Sequence, residues 1–339
     1  MIEIDGSHLE GGGQIIRTAI ALSAVTGKPV HIFNIRKGRD KPGLKPQHLH
    51  GISAAGQMCD AKIDGLNMNS SDVTFIPKKI RGGRYLVDTR TAGSVTLILQ
   101  TLVPIGIYAD SPFEVAIRGG TAVPFSPTIG YFVYVFTPMI HKLGVGIDIE
   151  VRRHGFYPRG GGEVFARIFP SELRSLSTID RGTVEEVISR IFVSHHLKSA
   201  RVAERISNGF SGTFNEAEAR YDYVDTISPG CFITAWAKCE NGVLGADALG
   251  KRGRPAEEVG RQAANDLKTA IDSNASIDTW MVDQLIPFMA LATYQTGDPS
   301  AIRVPLLTEH AQTNIWVVRN FLPVVFEQDN DLLRCVKTA

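Results

Sequence analysis

Cysteine is scarce: the 339 residues hold only Cys59, Cys231, Cys239 and Cys335, and no two form a C-x-x-C pair. So few thiols exclude a disulfide scaffold, and buried thiols in a reducing cytoplasm are expected. Charge of one sign is also lacking, because 36 Lys and Arg face 35 Asp and Glu for a net +1. No global positive field is available, so any polyanion must be gripped locally. No apolar run reaches the ~18 residues of a membrane span, and the opening MIEIDGSHLEGGG is acidic where a signal peptide is basic and then apolar. Neither secretion nor membrane insertion is expected.

Several catalytic signatures are missing as well. There is no H-E-x-x-H, no Cys/His zinc spacing, no G-x-S-x-G elbow and no G-x-G-x-x-G after a predicted strand, which argues against zinc peptidases, serine hydrolases and dinucleotide dehydrogenases. Gly245 to Lys251 reads G-x-x-x-x-G-K, but Arg252 stands where a P-loop needs Ser or Thr, and the segment follows an Asn241-Gly242 hairpin signal. No P-loop is expected. His48 and His50, two apart on a predicted helix, point in different directions and do not chelate.

What is present is ordinary globular composition, 43% hydrophobic and 21% charged, with a length that suits about two domains. Period-2 runs alternate with helix-length apolar segments. A strand at MIEID, a helix from Gln14, a strand at VHIFNI, a helix from Gln47 and two strands to Ile76 give β-α-β-α-β-β. The order recurs from RYLVDT to GEVFARIF. A third copy opens with a strand over Glu185 to Val193, then breaks off and resumes with a helix at Asp278. The segment 195–274 has its own α/β pattern. The expected fold is therefore α/β (α+β): three tandem units in a main domain of 1–194 plus 275–339, with a small α/β domain, 195–274, inserted into the third. Removing the insert is expected to leave a folded core.

Glycine clusters mark element ends at EGGGQ, RGGRY, IRGGT and YPRGGGE, where they either make tight turns or let backbone approach a phosphate. In EGGGQIIR they open a predicted helix whose first turn carries Arg17, a combination that suits an anion. The run Arg36 to Gln47 holds five basic residues against Asp40, a local +4, on a loop after a strand. His310 stands between a strand end and a helix predicted from Thr313, where a capping role and a chemical one are both open.

EGGGQIIRTAIALS, IRKGRDKPGLKPQHL, TAGSVTLILQT, RHGFYPRGGGE and EHAQTNIWVVRNFLPV, in this order, resemble the RNA 3′-terminal phosphate cyclases over nearly the whole chain. The resemblance implies the three-unit fold with its insert. It also implies a ligase-type enzyme that uses ATP and a divalent metal, Mg2+ or Mn2+, to convert an RNA 3′-phosphate to a 2′,3′-cyclic phosphate through a histidine-bound AMP. By motif match His310 is the nucleophile, Arg17, Arg36, Arg39 and Gln47 hold phosphates and the RNA end, and Glu10 holds the metal. Gln100, Pro127, Trp280, Asp283 and Gln284 match the adenosine pocket, Trp280 replacing another aromatic and giving either a stacking face or a core residue. A noncatalytic scaffold in ribosome assembly and an enolpyruvyl transferase are the alternative classes. His310 and the arginines argue against the first. A homodimer is left open.

Overall fold

The computed structural model describes residues 1–338. The first unit runs β1 (Ile2–Asp5), α1 (Gly13–Thr26), β2 (Val30–Phe33), α2 (Pro46–Met58), β3 (Lys62–Asp64) and β4 (Val73–Ile76). The second runs β5 (Gly83–Asp88), α3 (Val95–Gly106), β6 (Phe113–Gly119), α4 (Ile129–Tyr131), a π-helical turn (Phe132–Phe136), α5 (Thr137–Lys142), β7 (Gly146–Arg153) and β8 (Gly162–Phe169). Then come β9 (Ser177–Thr178), β10 (Val184–Ser194), α6 (Val202–Ser211), β11 (Glu218–Val224), β12 (Cys231–Cys239), β13 (Gly242–Leu249) and α7 (Ala256–Asp272). The chain ends with α8 (Thr279–Thr296), β14 (Ser300–Arg303), α9 (Glu309–Phe321), β15 (Val324–Asp329) and β16 (Leu332–Lys337).

The fold is α+β, with four mixed four-stranded sheets. Three of them, β1-β2-β4-β3, β5-β6-β8-β7 and β9-β14-β16-β15, share one strand order, with the first pair parallel and the rest antiparallel. The fourth, β11-β10-β12-β13, is the sheet of the inserted segment. The strand expected over Glu185 to Val193 as the opening of the third copy forms as β10, but it pairs with β11 and β12 instead. The third copy opens with the two-residue β9, too short to show any periodicity, which pairs with β14. The Asn241-Gly242 hairpin forms, but Gly242 already pairs with Cys239 and the loop is Glu240-Asn241. Their N–H groups donate to Thr183 and Arg181 carbonyls, which holds that loop against the segment entering β10.

Contacts between the three units run through helices: α1 packs on α3 and α9, and α2 on α3. Helix α1 shows why. Ile15, Ile16, Ile20 and Leu22 are at most 1% exposed, each such burial being worth about 1.5–3 kcal/mol, and Gly27 at φ 69° ends the helix in the left-handed region that glycine adopts without strain. The first and last units are joined by Thr18 on α1, whose hydroxyl donates to Asn314 on α9 at 2.6 Å. All four cysteines are free and buried, and burial pushes the thiol of Cys335 up to about 12. Among the described residues no helix is long and apolar enough to cross a membrane.

Candidate active site

A cavity of about 260 Å³ opens where helices of all three units converge. Helix α1 contributes Gln14 and Arg17, α3 contributes Gln100, and the segment before α4 contributes Phe125 and Pro127. Trp280, Asp283 and Gln284 come from α8 and His310 from α9. Trp280, Asp283 and Gln284 share one face because offsets of three and four residues stack on a helix. The Trp280 side chain is 59% exposed, so a core position for it does not hold. Gln100 donates to Gln284 at 3.0 Å, and Gln284 donates to the Trp280 carbonyl at 2.8 Å, which fixes both amides on the wall.

The helix ends aimed at the cavity are capped in the usual chemistry. Asp278 caps α8 by accepting from the backbone N–H of Trp280 and Met281 at 3.0 and 3.1 Å. It also accepts from the Tyr131 hydroxyl at 2.7 Å and from Gly245 N–H at 2.9 Å. Burial nevertheless raises its carboxyl to about 6, against the pull of those donors. Thr308 caps α9 by accepting from Ala311 N–H at 3.2 Å. That cap starts the helix at Glu309 rather than Thr313, so His310 lies in the first turn.

The charges are arranged as follows. Arg17 is enclosed by protein while open to the cavity and bonds to the Gln14 side chain. Burial lowers it to about 10, with Asp283 opposing, so it stays cationic at neutral pH. Burial raises Asp283 to about 7, with Arg17 opposing. His310 is lowered from 6.5 by burial and then by Arg17 and Arg39, with Glu309 acting the other way; its imidazole is neutral at pH 7. Its Nε2 lies 3.7 Å from Glu10 Oε1, longer than a hydrogen bond and, with a neutral ring, no ion pair. Glu10 is paired instead with Arg39, which also donates to the Glu10 carbonyl at 3.2 Å.

Glu10 Oε2 is buried and has no partner. Among the described residues no group of three or more His, Cys, Asp and Glu could hold a metal. A lone carboxylate oxygen fits a divalent ion that takes its other ligands from water and phosphate. Of the expected site residues, Glu10, Arg36, Arg39 and Gln47 do not line the cavity, although Glu10 and Arg39 lie beside His310. The Arg36 guanidinium donates to the Lys41 and Gly43 carbonyls at 2.7 and 3.1 Å, closing its own loop, and Gln47 sits half-buried in the first turn of α2.

Three residues here escaped the sequence reading. His48 is buried with Nδ1 accepting from Lys45 N–H at 3.2 Å, which leaves the proton on Nε2 beside Gly13 and Arg17. Burial and the charges of Arg17, Arg36 and Lys45 hold it well below 6.5, so it is a neutral donor rather than a ligand. Asp247 lines the cavity from β13, inside the segment that mimics a P-loop but forms a strand. Tyr131 reaches the cavity from α4. Only the caps could have been found beforehand, from Thr308 and Asp278 standing before apolar runs.

Fold and cavity together define a mixed α/β protein with a cleft in which one enclosed guanidinium, Arg17, and two buried carboxyls, Asp247 and Asp283, face a helix-borne imidazole. The sequence profile of the RNA 3′-terminal phosphate cyclases matches residues 8–328. The chain is 42% identical to the RNA 3′-terminal phosphate cyclase of Thermococcus kodakarensis over 350 aligned positions, covering 100% of this chain and 99% of that one. It is 43% identical to the cyclase of Methanopyrus kandleri, covering 96% of this chain and 95% of the relative. It is 42% identical to that of Pyrococcus furiosus, with 96% and 95% covered. A solved enolpyruvyl transferase, NikO of Streptomyces tendae, covers 50% of this chain and 33% of its own at 17% identity and TM-score 0.30, a level from which no shared fold follows. The chain belongs to the RNA 3′-terminal phosphate cyclase family, a family of enzymes.

Proposed function

We propose that this protein converts an RNA 3′-phosphate to a 2′,3′-cyclic phosphate using ATP, through AMP bound to His310. The observation that carries the reading is His310 itself: a neutral imidazole at a helix start, on the edge of a nucleotide-sized cavity, with Arg17 and Arg39 beside it. Its ring lone pair attacks the α-phosphorus of ATP, a P–N bond forms, the bond to the β-phosphate oxygen breaks, and pyrophosphate leaves. An oxygen of the RNA 3′-phosphate then attacks the same phosphorus and releases the imidazole. Finally the RNA 2′-hydroxyl attacks the activated 3′-phosphorus, losing its proton, and AMP departs with the electrons of the broken anhydride bond.

In each displacement Arg17 and Arg39 spread the charge that builds on phosphate oxygens. Arg36 and Gln47 join them once phosphate draws the Arg36 guanidinium off its loop carbonyls. Glu10 Oε2 would hold the divalent metal, which when bound neutralises triphosphate charge. Trp280 and Pro127 flank the base, while Gln100, Asp283 and Gln284 face the nucleoside. We further assign the insert to Val184–Asn274, since β10 belongs to its sheet, and place the protein in a reducing cytoplasm, in keeping with its free, buried thiols.

The test uses ATP labelled on the α-phosphate. Wild type should gain one acid-labile AMP and His310→Ala none, while keeping its circular dichroism spectrum. Undiminished labelling of His310→Ala would remove the assignment.

A further inference from the structure

Four loops meet beside the cavity, where the second unit faces the inserted sheet. Thr121 N–H donates to the Gly155 carbonyl at 2.9 Å, and Ala122 bridges to Phe156, tying the segment before α4 to the β7–β8 connection. That connection abuts the β5–α3 loop, since a Cβ on Gly160 would collide with the Thr91 carbonyl. It abuts the loop before β12 as well: Arg159 N–H donates to Ser228 Oγ at 3.2 Å, and a Cβ on Gly161 would collide with Ile227. Gly160 and Gly161 have φ 69° and 79°, so only glycine gives both the turn and the close approach.

The motif RHGFYPRGGGE thus knits a surface together, and none of the chemistry above uses what that surface presents. Phe125 is 101% exposed and Tyr157 67% exposed. Phe125 also has φ 64°, a conformation costly for a bulky residue, held although its ring buries nothing within the fold. Arg90, Arg153 and Arg159 are exposed, and among the described residues none of them forms a salt bridge. Of the carboxylates nearby, Glu163 is engaged by Arg118 at 2.8 Å and Arg152 at 3.8 Å, and Asp222 by Arg190 at 3.0 Å. Asp88, which accepts from the Arg90 backbone N–H at 2.8 Å, and Asp225, 3.8 Å from His195, are exposed and leave the three guanidiniums in excess over them.

We infer that Arg90, Phe125, Arg153, Tyr157 and Arg159 form a track for the single-stranded RNA that leads away from the 3′ end, an inference that rests on the reading above. Guanidiniums without a carboxylate partner, of which Arg153 donates through Nε to the Gly161 carbonyl at 2.6 Å, interleaved with exposed rings are what a flexible polyanion carrying π faces requires. In a chain of net charge +1 this local surplus of cations is conspicuous. Phe125 lies both on the cavity wall and on this surface, so the track begins at the cavity mouth. A nucleotide filling the cavity meets the enclosed amides of Gln100 and Gln284. Phe125 can be met from the cavity as well, but the exposed Tyr157, which does not line it, meets only a ligand that extends beyond the mouth, as an RNA strand does.

The test titrates tagged single-stranded RNAs ending in a 3′-phosphate, a dinucleotide and a decanucleotide, into the full-length protein over a range of salt. The decanucleotide should bind more tightly and with the steeper salt slope. Tyr157→Ala should weaken it by about tenfold. Arg153→Ala and Arg159→Ala should each flatten the slope by about 0.7, and Arg159→Lys should restore most of it. Equal affinity for both lengths in wild type would overturn the track. So would unchanged decanucleotide binding in the Tyr157→Ala/Arg159→Ala double variant at native melting temperature. A protein that shows the length and arginine dependence but takes up no AMP keeps the track and loses the cyclase reading. One that adenylates and cyclises the dinucleotide with no length dependence does the reverse.

Discussion

Asp247 accepts a 2.8 Å hydrogen bond from the backbone N–H of Thr128, so a strand of the inserted sheet holds the residue that caps α4 beside Pro127. Asp247→Ala leaves that N–H without its partner, a loss of about 1–3 kcal/mol. The variant should melt earlier and need more ATP for adenylation, with full labelling at saturating ATP. Earlier melting with unchanged ATP dependence would separate the insert from the cavity.

Replacing 195–274 by a flexible linker, which the sequence suggests is harmless, would strip β10 of both partners and leave Asp278 without the Gly245 donor. It would also uncover Tyr134, whose ring stacks on Trp236 at 4.5 Å. Such a chain is expected to be insoluble or unable to adenylate, and a soluble, fully adenylating one would contradict this.

The acid limb of adenylation should have its midpoint below 6.5, because the nucleophile must be neutral and burial, Arg17 and Arg39 all lower its pKa. Arg39→Ala removes one of those charges. Its acid limb should therefore move to higher pH, as read from single-turnover labelling across buffers. A limb that stays in place would mean Arg39 does not face the ring.

Trp280→Ala should raise the ATP concentration for half-maximal adenylation roughly tenfold, since stacking a base on an aromatic ring is worth about 1–3 kcal/mol. Its melting temperature should change little because the side chain is half outside. Trp280→Tyr should retain most affinity, and ATP should quench the fluorescence that Trp280→Ala lacks. Destabilisation with unaltered nucleotide dependence would count against stacking.

The contribution of Asp278 and Asp283 to stability should fall as pH rises toward neutrality, whereas His48 and His154, both lowered by burial, act the other way. Burial raises Asp278 to about 6 and Asp283 to about 7 from 3.8, so between those limits the folded chain binds more protons at these two carboxyls than the unfolded one. Their contribution is fully present below about 3.8 and is lost as pH passes through the folded values. Asp283→Asn removes one of these groups, and its melting temperature should vary less between pH 4 and 7 than that of wild type. Identical pH profiles would show that Asp283 is not held away from solvent.

Much of this arrangement was legible beforehand, and the losses have physical causes. Helices α1 and α3 announce themselves as apolar runs of helical length, buried on most sides, and α2 by a buried face over several turns. Strand β9 is invisible, since two residues carry no period. Strand β10 is recognisable as a strand, but its alternation does not say which sheet it joins; pairing is a tertiary fact. His48 was read by asking whether it could chelate, whereas its role follows from Gly13 and Arg17, which reach it only in the folded chain. Asp247 hid inside a misleading motif for the same reason.

The hydrogen bond between Thr18 and Asn314 spans 296 positions of chain. Arg17 and His310, on the same two helices, therefore meet only after nearly the whole polypeptide has been made. Long-range closure of this kind is slow and leaves partly folded chains exposed to aggregation while they wait. Helix α1 packs on α9 as well as on α3, so its burial is incomplete until α9 has left the ribosome. On the proposed mechanism, the ability to react with nucleotide is thus a late event in the life of each molecule, and premature termination anywhere before α9 yields a chain without His310.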